Sequence, residues 1–262
     1  MRLLTLAFTI LAFTACKEIK KEAIQPKMEE ETTSKEFPET IFKIFEAHGG
    51  FDTYITNRVL SFEIPKDDMT EAHTIDLKTR NEKITMGDIA MGYDGSEFWL
   101  LDEKGEYKGD PIFYHNLIFY FYNMPFVLAD DGIHYEKTES LEFEGKNYPG
   151  IKISYDAGIG SSSKDEYFIY YNPETFQMEW LGYTVTYRSN EKSDNVRWIR
   201  YIDWMNVDGL TLPKSITWYA YEGRTIKEAK NTVSFENVIL AKTKKSDTFF
   251  AKPENAKVVT KE

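Results

Sequence analysis

The feature that most restricts this chain is a succession of short strand-periodic segments that starts at Val59 and continues, turn after turn, to Leu240. Apolar and polar residues alternate over 59–64, 72–79, 83–93 and 97–101, and again over 133–143, 148–155, 166–171, 177–187, 196–205, 210–221 and 225–240. Turn formers stand between them, among them Asn81-Glu82, Tyr93-Asp94-Gly95, Glu144-Gly145-Lys146, Asn172-Pro173-Glu174 and Asn206-Val207-Asp208-Gly209. A period of two sends successive side chains to opposite faces of a sheet, and links this short join antiparallel neighbours. No helical pattern alternates with the strands, so the crossovers that parallel sheets need are missing. The pattern predicts a mainly β chain, an antiparallel sandwich or barrel.

Two segments depart from the period. A helix beginning at Ser34 or Glu36 takes Pro38 in its first turn, aligns Ile41, Phe42, Ile44, Phe45 and Ala47 as an apolar stripe, and stops at Gly49-Gly50. His48, in its last turn, reads as a complement to the helix dipole. The second is 111–128, too long for an ordinary strand, which reads as a helix over 112–123 broken before Pro125. Its aromatic residues lie nearly all round, so both sides need apolar cover. A Gly/Ser-rich loop is expected over 157–165.

The start of the chain sets the compartment. Met1-Arg2 precedes an apolar run from Leu3 to Ala12, and Phe13-Thr14-Ala15 supplies residues before Cys16, the only cysteine. This order is that of a secretory signal, too short to span a bilayer. A lone cysteine cannot form an internal disulfide, which makes it more useful as an acylation site; the alternative is a secreted protein with a free thiol. Lys17 to Lys35 is dense in Lys and Glu, contains Pro26 and has no aromatic residue. Such a stretch reads as a disordered tether reaching about 25 Å. The expected organisation is a signal peptide over 1–15, a lipidated cysteine and tether over 16–35, and one β-rich domain over 36–262. Net charge is −11, which makes the chain a poor match for nucleic acid phosphates.

Certain residues carry a family likeness. Leu11 to Cys16 looks like a lipobox, with Phe13 where leucine is commoner. Tyr170-Tyr171-Asn172-Pro173-Glu174-Thr175, Tyr201-Ile202-Asp203-Trp204, Leu212-Pro213-Lys214 and Phe235-Glu236-Asn237-Val238 lie in the half with the closest local echoes. With the N-terminal helix and the inserted broken helix, they make the chain resemble the LolA/LolB class of periplasmic lipoprotein carriers. Ala47-His48-Gly49-Gly50, 111–130 and 183–187 are more similar to an uncharacterised family of Gram-negative lipoproteins with no assigned activity. The resemblance implies an incomplete antiparallel β-barrel closed by helices over a hydrophobic cavity, and a protein of the cell envelope. Acylation of Cys16 is implied too. Lys17 is not the aspartate that retains lipoproteins at the inner membrane, which favours the outer membrane.

Catalytic patterns are scarce. The chain has no Gly-x-Ser-x-Gly elbow, no His-Glu-x-x-His, and no metal-ligand spacing among His48, His73, His115 and His134. Gly158-Ile159-Gly160-Ser161 is not followed by Gly-Lys-Ser/Thr, and Asp130-Asp131-Gly132 with Glu136 falls short of a calcium loop. No cofactor or metal is expected, and an enzyme is the least favoured reading. What stands out is the aromatic content. Phe113, Leu117, Phe119, Phe121 and Phe126 of the inserted helix form a candidate hydrophobic lid, opposite Trp198, Trp204 and Trp218 on the sheet. Val196, Trp198, Ile202 and Trp204 are expected on one strand face. Two readings stand: an aromatic-lined cavity for a lipid or lipoprotein acyl chain, or a structural or interaction lipoprotein whose core is filled by its own side chains.

Overall fold

The chain alternates its hydrophobic residues strongly enough to make two large sheets, and the computed structural model describes residues 35–115, 117–156, 164–187, 189 and 191–260 of it. Cys16 and the segments 1–15 and 16–34 lie outside the described residues, as does most of the loop 157–165. Residues from Phe37 onward cluster as one compact unit.

Among the described residues fourteen strands form two seven-stranded sheets. The first contains β1 (Val59–Pro65), β2 (Thr70–Asp76), β3 (Glu82–Met86), β4 (Ile89–Tyr93), β5 (Phe98–Leu101), β13 (Glu236–Ala241) and β14 (Lys257–Val259), in the order β13-β1-β2-β3-β4-β5-β14. The second is an unbroken meander of β6 (Ile133–Phe143), β7 (Lys146–Tyr155), β8 (Tyr167–Tyr171), β9 (Met178–Tyr183), β10 (Arg197–Val207), β11 (Leu210–Glu222) and β12 (Thr225–Ser234). All pairings are antiparallel. The expected open architecture is present: β6 and β14 end their sheets and, among the described residues, no ladder closes the ring.

Phe235 is the joint. β12 leaves the edge of the second sheet at Ser234, and β13 enters the edge of the first at Glu236. The Phe235 N–H donates to Lys214 O of β11, and its ring packs edge-on to Phe62 of β1 and against Tyr122. The segment expected as one strand over 225–240 is therefore two strands in two sheets. The expected strand 83–93 also divides, because Gly87 at φ 57° turns the chain between β3 and β4.

Helix α1 (Glu39–Ala47) buries Ile41, Ile44 and Phe45, while Phe42 of the expected stripe is 53% exposed. Its end is fixed by contact with the β10–β11 turn. Thr211 N donates to His48 O, and a Cβ on Gly49 would lie 2.1 Å from Gly209 O. The helix ends just before Gly49-Gly50, as expected, and a second short helix, α2 (Phe51–Ile55), starts directly after Gly50. Among the described residues no helix is long and apolar enough to cross a membrane.

The main core draws on α1, α2, both sheets and the segment between β5 and β6. A second cluster of Tyr148, Phe168, Tyr170, Trp180, Val196 and Trp198 lies on the other face of the second sheet. Alternation along β8 and β9 sends Ile169 and Leu181 to the first and Phe168 and Trp180 to the second. The tail after β13 covers a third, small cluster, where Trp99 donates through Nε1 to Phe250 O.

Candidate functional site

The inserted segment is three short helical pieces. Asp110 accepts hydrogen bonds from the N–H groups of Ile112 and Phe113 and starts α3 (Pro111–Tyr114) with proline at its first position. The chain breaks at His115 (φ −50°, ψ 137°), resumes as α4 (Leu117–Tyr122), and passes a cis Met124–Pro125 bond into a 3-10 turn, Phe126–Ala129. The single helix expected over 112–123 is thus interrupted in its middle as well as before the proline.

The pieces differ in how they are held. No residue of α3 is buried, whereas Ile118, Phe119, Phe121 and Tyr122 of α4 and all four residues of the 3-10 turn are. Each aromatic side chain so buried contributes about 1.5–3 kcal/mol. Tyrosine and asparagine side chains pin this part: Tyr201 OH donates to Phe121 O (2.8 Å), Asn123 Nδ2 donates to Tyr54 OH (2.6 Å), and Tyr135 OH donates to Leu128 O. Burial pushes the Tyr54 hydroxyl up to about 12 and that of Tyr201 well above its ordinary value, so both keep their protons.

Most of the residues singled out in the sequence meet in the main core cluster. Phe119 lies beneath the Arg80 guanidinium, 4.5 Å from the ring centre. Phe121 packs against Tyr183 (4.9 Å) and edge-on to Trp218 (5.7 Å), whose Nε1 donates to Tyr183 OH. Phe126 stacks on Tyr54 at 4.6 Å. Phe113 and Leu117 are half-buried, with Phe113 5.2 Å from Tyr187. Trp204 packs on His48 and Tyr201.

Phe113 stands outside the main cluster, and Trp198 is the other exception. It is buried in the second cluster, on the face opposite Trp204 and Trp218, so the shared strand face expected for Trp198 and Trp204 does not exist. Register shifts in the β10–β11 pairing between Arg200, Asp203 and Trp204 are the cause. A bulge inserts a residue and inverts the alternation beyond it; Tyr201 and Trp204 both join the main core, and Ile202 is 61% exposed.

A charge network ties α3 to the first sheet. Glu71 and His73 alternate on β2 and share its inner face with Glu82 of β3; all three are at most 2% exposed. His73 donates through Nε2 to Glu71 Oε1 (2.7 Å) and through Nδ1 to Glu82 Oε1 (3.2 Å). The other Glu82 oxygen accepts from His115 Nδ1 (2.8 Å), and Tyr114 OH donates to Glu71 Oε1 (2.5 Å). Burial opposes the charge on Glu82, but hydrogen bonds from His115 and His73 outweigh it and hold the carboxyl at about 2. Burial likewise works against a charged His73, and the two carboxylates outweigh it and raise its pKa. Reading the histidines only for metal spacing missed this network. Its one local signal is Glu71-x-His73, two ionisable residues on the inward face of a strand.

His48 is no dipole complement. It is fully buried, its Nδ1 donates to Ile44 O (2.8 Å), and its Nε2 has no partner. Desolvation takes it down to about 4, so the ring is neutral where the helix dipole would need a cation. Arg80 Nη2 occupies Asp130 with bonds of 2.8 and 3.0 Å. Among the described residues no group of three or more His, Cys, Asp or Glu could hold a metal ion. Gly158-Ile159-Gly160-Ser161 lies outside the described residues.

Among solved structures, the chain is similar to a LolA superfamily protein from Nitrosomonas europaea, at 10% identity and a TM-score of 0.44, over 74% of this chain and 88% of that one. It is also similar to a DUF1329 family protein from Desulfovibrio piger, at 11% identity and a TM-score of 0.47, over 81% and 95%. A search of curated proteins returned no match. Residues 50–224 match the model of DUF6503, a family of unknown function. The chain is a member of the DUF6503 family.

Proposed function

We propose that this protein is a membrane-anchored lipoprotein of the cell envelope that binds a hydrophobic ligand, a lipid or the acyl chains of another lipoprotein, against the aromatic surface where its inserted segment packs on the main core. Cys16 carries the acyl anchor, 17–35 is the tether, and the membrane is the outer one. One observation supports the ligand reading above the others. Leu117 and Tyr120 of the inserted segment and Tyr155, Tyr167 and Trp218 of the second sheet all pack on the main core yet stay half-buried, and Phe113 is half-buried against Tyr187, so apolar area stays partly open on both segment and sheet. Such a surface accepts an acyl chain without unfolding anything. The hydroxyls around it suit an amphipathic ligand better than a purely hydrocarbon one.

The near-complete burial of Phe119, Phe121 and Phe126 favours a second reading, a structural lipoprotein with a filled core. Native mass spectrometry of the purified protein, with titration of the fluorescent probe 1-N-phenylnaphthylamine, separates the two. Copurified lipid, and probe binding that Phe113→Ala and Leu117→Ala weaken at least fivefold, support the carrier. A lipid-free protein that binds no probe refutes it and leaves the structural reading.

A further inference from the structure

The inserted segment has two modes of attachment. From Leu117 onward it is held by buried side chains and by neutral donors such as Tyr201 and Asn123. Before the break at His115 it buries no residue, and side-chain bonds to ionised groups tie it to the sheet: Tyr114 to Glu71 and His115 to Glu82. Between those carboxylates stands His73. Ionised Glu71 and Glu82 can only accept, and His73 is within bonding distance of both, one through each ring nitrogen. A neutral imidazole has a single N–H. The bridge as built therefore needs the imidazolium, or a proton on a carboxyl.

We propose that Glu71, His73, Glu82 and His115 form a proton-dependent latch that holds α3 to the first sheet and releases it when the bridging proton is lost. With His73 neutral, one of two buried carboxylates loses its donor. A buried carboxylate left one donor short, with Tyr114 and Lys66 on Glu71 or His115 on Glu82, is costly and turns toward water, taking its bond to Tyr114 or His115 with it. Other groups around the latch leave the bridge to His73. Lys66 of the β1–β2 turn stands 3.6 Å from Glu71 Oε2 and is itself 43% exposed. Tyr107, before α3, lies near Glu71, and Asp110 caps α3. Tyr93 of β4 and Phe98 of β5 face His115 with their rings, and Phe62 of β1 stacks on His73.

The sign follows from the raised pKa of His73. A group raised in the folded state adds stability that is full below its unfolded pKa, about 6.5, and is lost as pH rises through the folded value. The latch thus holds in weak acid and loosens toward alkaline pH. It does not depend on the ligand reading, because α3 moves whether or not an acyl chain is bound.

Hydrogen–deuterium exchange on the full chain in detergent, at pH 5.5 and 8.5 and corrected for the intrinsic pH dependence of exchange, tests this. The amides of Ile112, Phe113, Tyr114 and His115, all bonded within α3, should lose protection at least tenfold at pH 8.5. The Asn123 amide, bonded to Phe119 O, should change less than twofold. Glu82→Gln should flatten the pH dependence. Tyr114→Phe, which spares both histidines and both carboxylates, should leave α3 at pH 5.5 as exposed as wild type is at pH 8.5, and it decides the matter if Glu82→Gln does not fold. Equal α3 protection at both pH values, loss of Asn123 protection in step with α3, or a Tyr114→Phe protein as protected as wild type at pH 5.5 overturns the latch.

Discussion

Replacing Phe121 by alanine separates a core helix from a movable lid. Phe121 is 4% exposed, touches Tyr183 and Trp218, and its carbonyl accepts the Tyr201 hydroxyl. Truncation removes the ring's transfer free energy and leaves a cavity that two large aromatic neighbours cannot collapse into. Such a change costs about 3–5 kcal/mol. For a domain of this size each kcal/mol lowers Tm by about 2–4 °C, so the midpoint should fall by about 6–20 °C. Phe113→Ala is the control, since its half-buried ring packs on Tyr187, and the loss should be about 1 kcal/mol. Thermal unfolding followed by circular dichroism on both variants gives the comparison. A Phe121→Ala midpoint within about 2 °C of wild type would show that α4 is not part of the core, and the lid would then extend through it.

Other expectations are as direct. Cys16→Ser should release the protein from the membrane fraction or leave uncut precursor; a mature, membrane-bound variant refutes the anchor. His48, neutral and held at about 4 by burial, contributes stability that is full above about pH 6.5 and is lost as pH falls toward 4, roughly 3 kcal/mol in all. His48→Leu should therefore gain that much on wild type between pH 7 and pH 4, measured by urea unfolding; an unchanged gap means that the ring is not desolvated. Gly49→Ala combines a φ of 101° with a Cβ 2.1 Å from Gly209 O. It should lower Tm by more than 5 °C, on the order of 2 kcal/mol, and a neutral result would mean that α1 does not dock on the β10–β11 turn.

The strands were the most legible part of the sequence, because alternation needs only neighbours. The segment 133–143 is expected and observed with the same limits as β6. Reading failed where one residue changes what a period means. Phe235 continues an apolar pattern while the chain changes sheets, and the bulge before Trp204 moves Trp198 to the far face. The aromatic site was visible as composition and as a broken helix, since Pro125 and the Phe/Tyr run are local. The charge network was not, because Glu82 and His115 meet only through the fold. His48 was misread because its position on α1 is local information, whereas its burial under Trp204 is not.

The order of strands also constrains how the molecule comes into being. The second sheet is contiguous in sequence, each strand pairing with the next, so it can zip up as its chain emerges. In the first sheet Val59 pairs with Ala241 and Phe98 with Val259, so β1 and β5 each keep one unpaired edge until nearly the whole chain is present. An exposed strand edge is a template for the wrong neighbour. A chain made from its N-terminus thus carries two such edges through most of its synthesis, and both stay unpaired until β13 and β14 arrive. Truncation before Glu236 should leave an insoluble product even though every strand of the second sheet is intact.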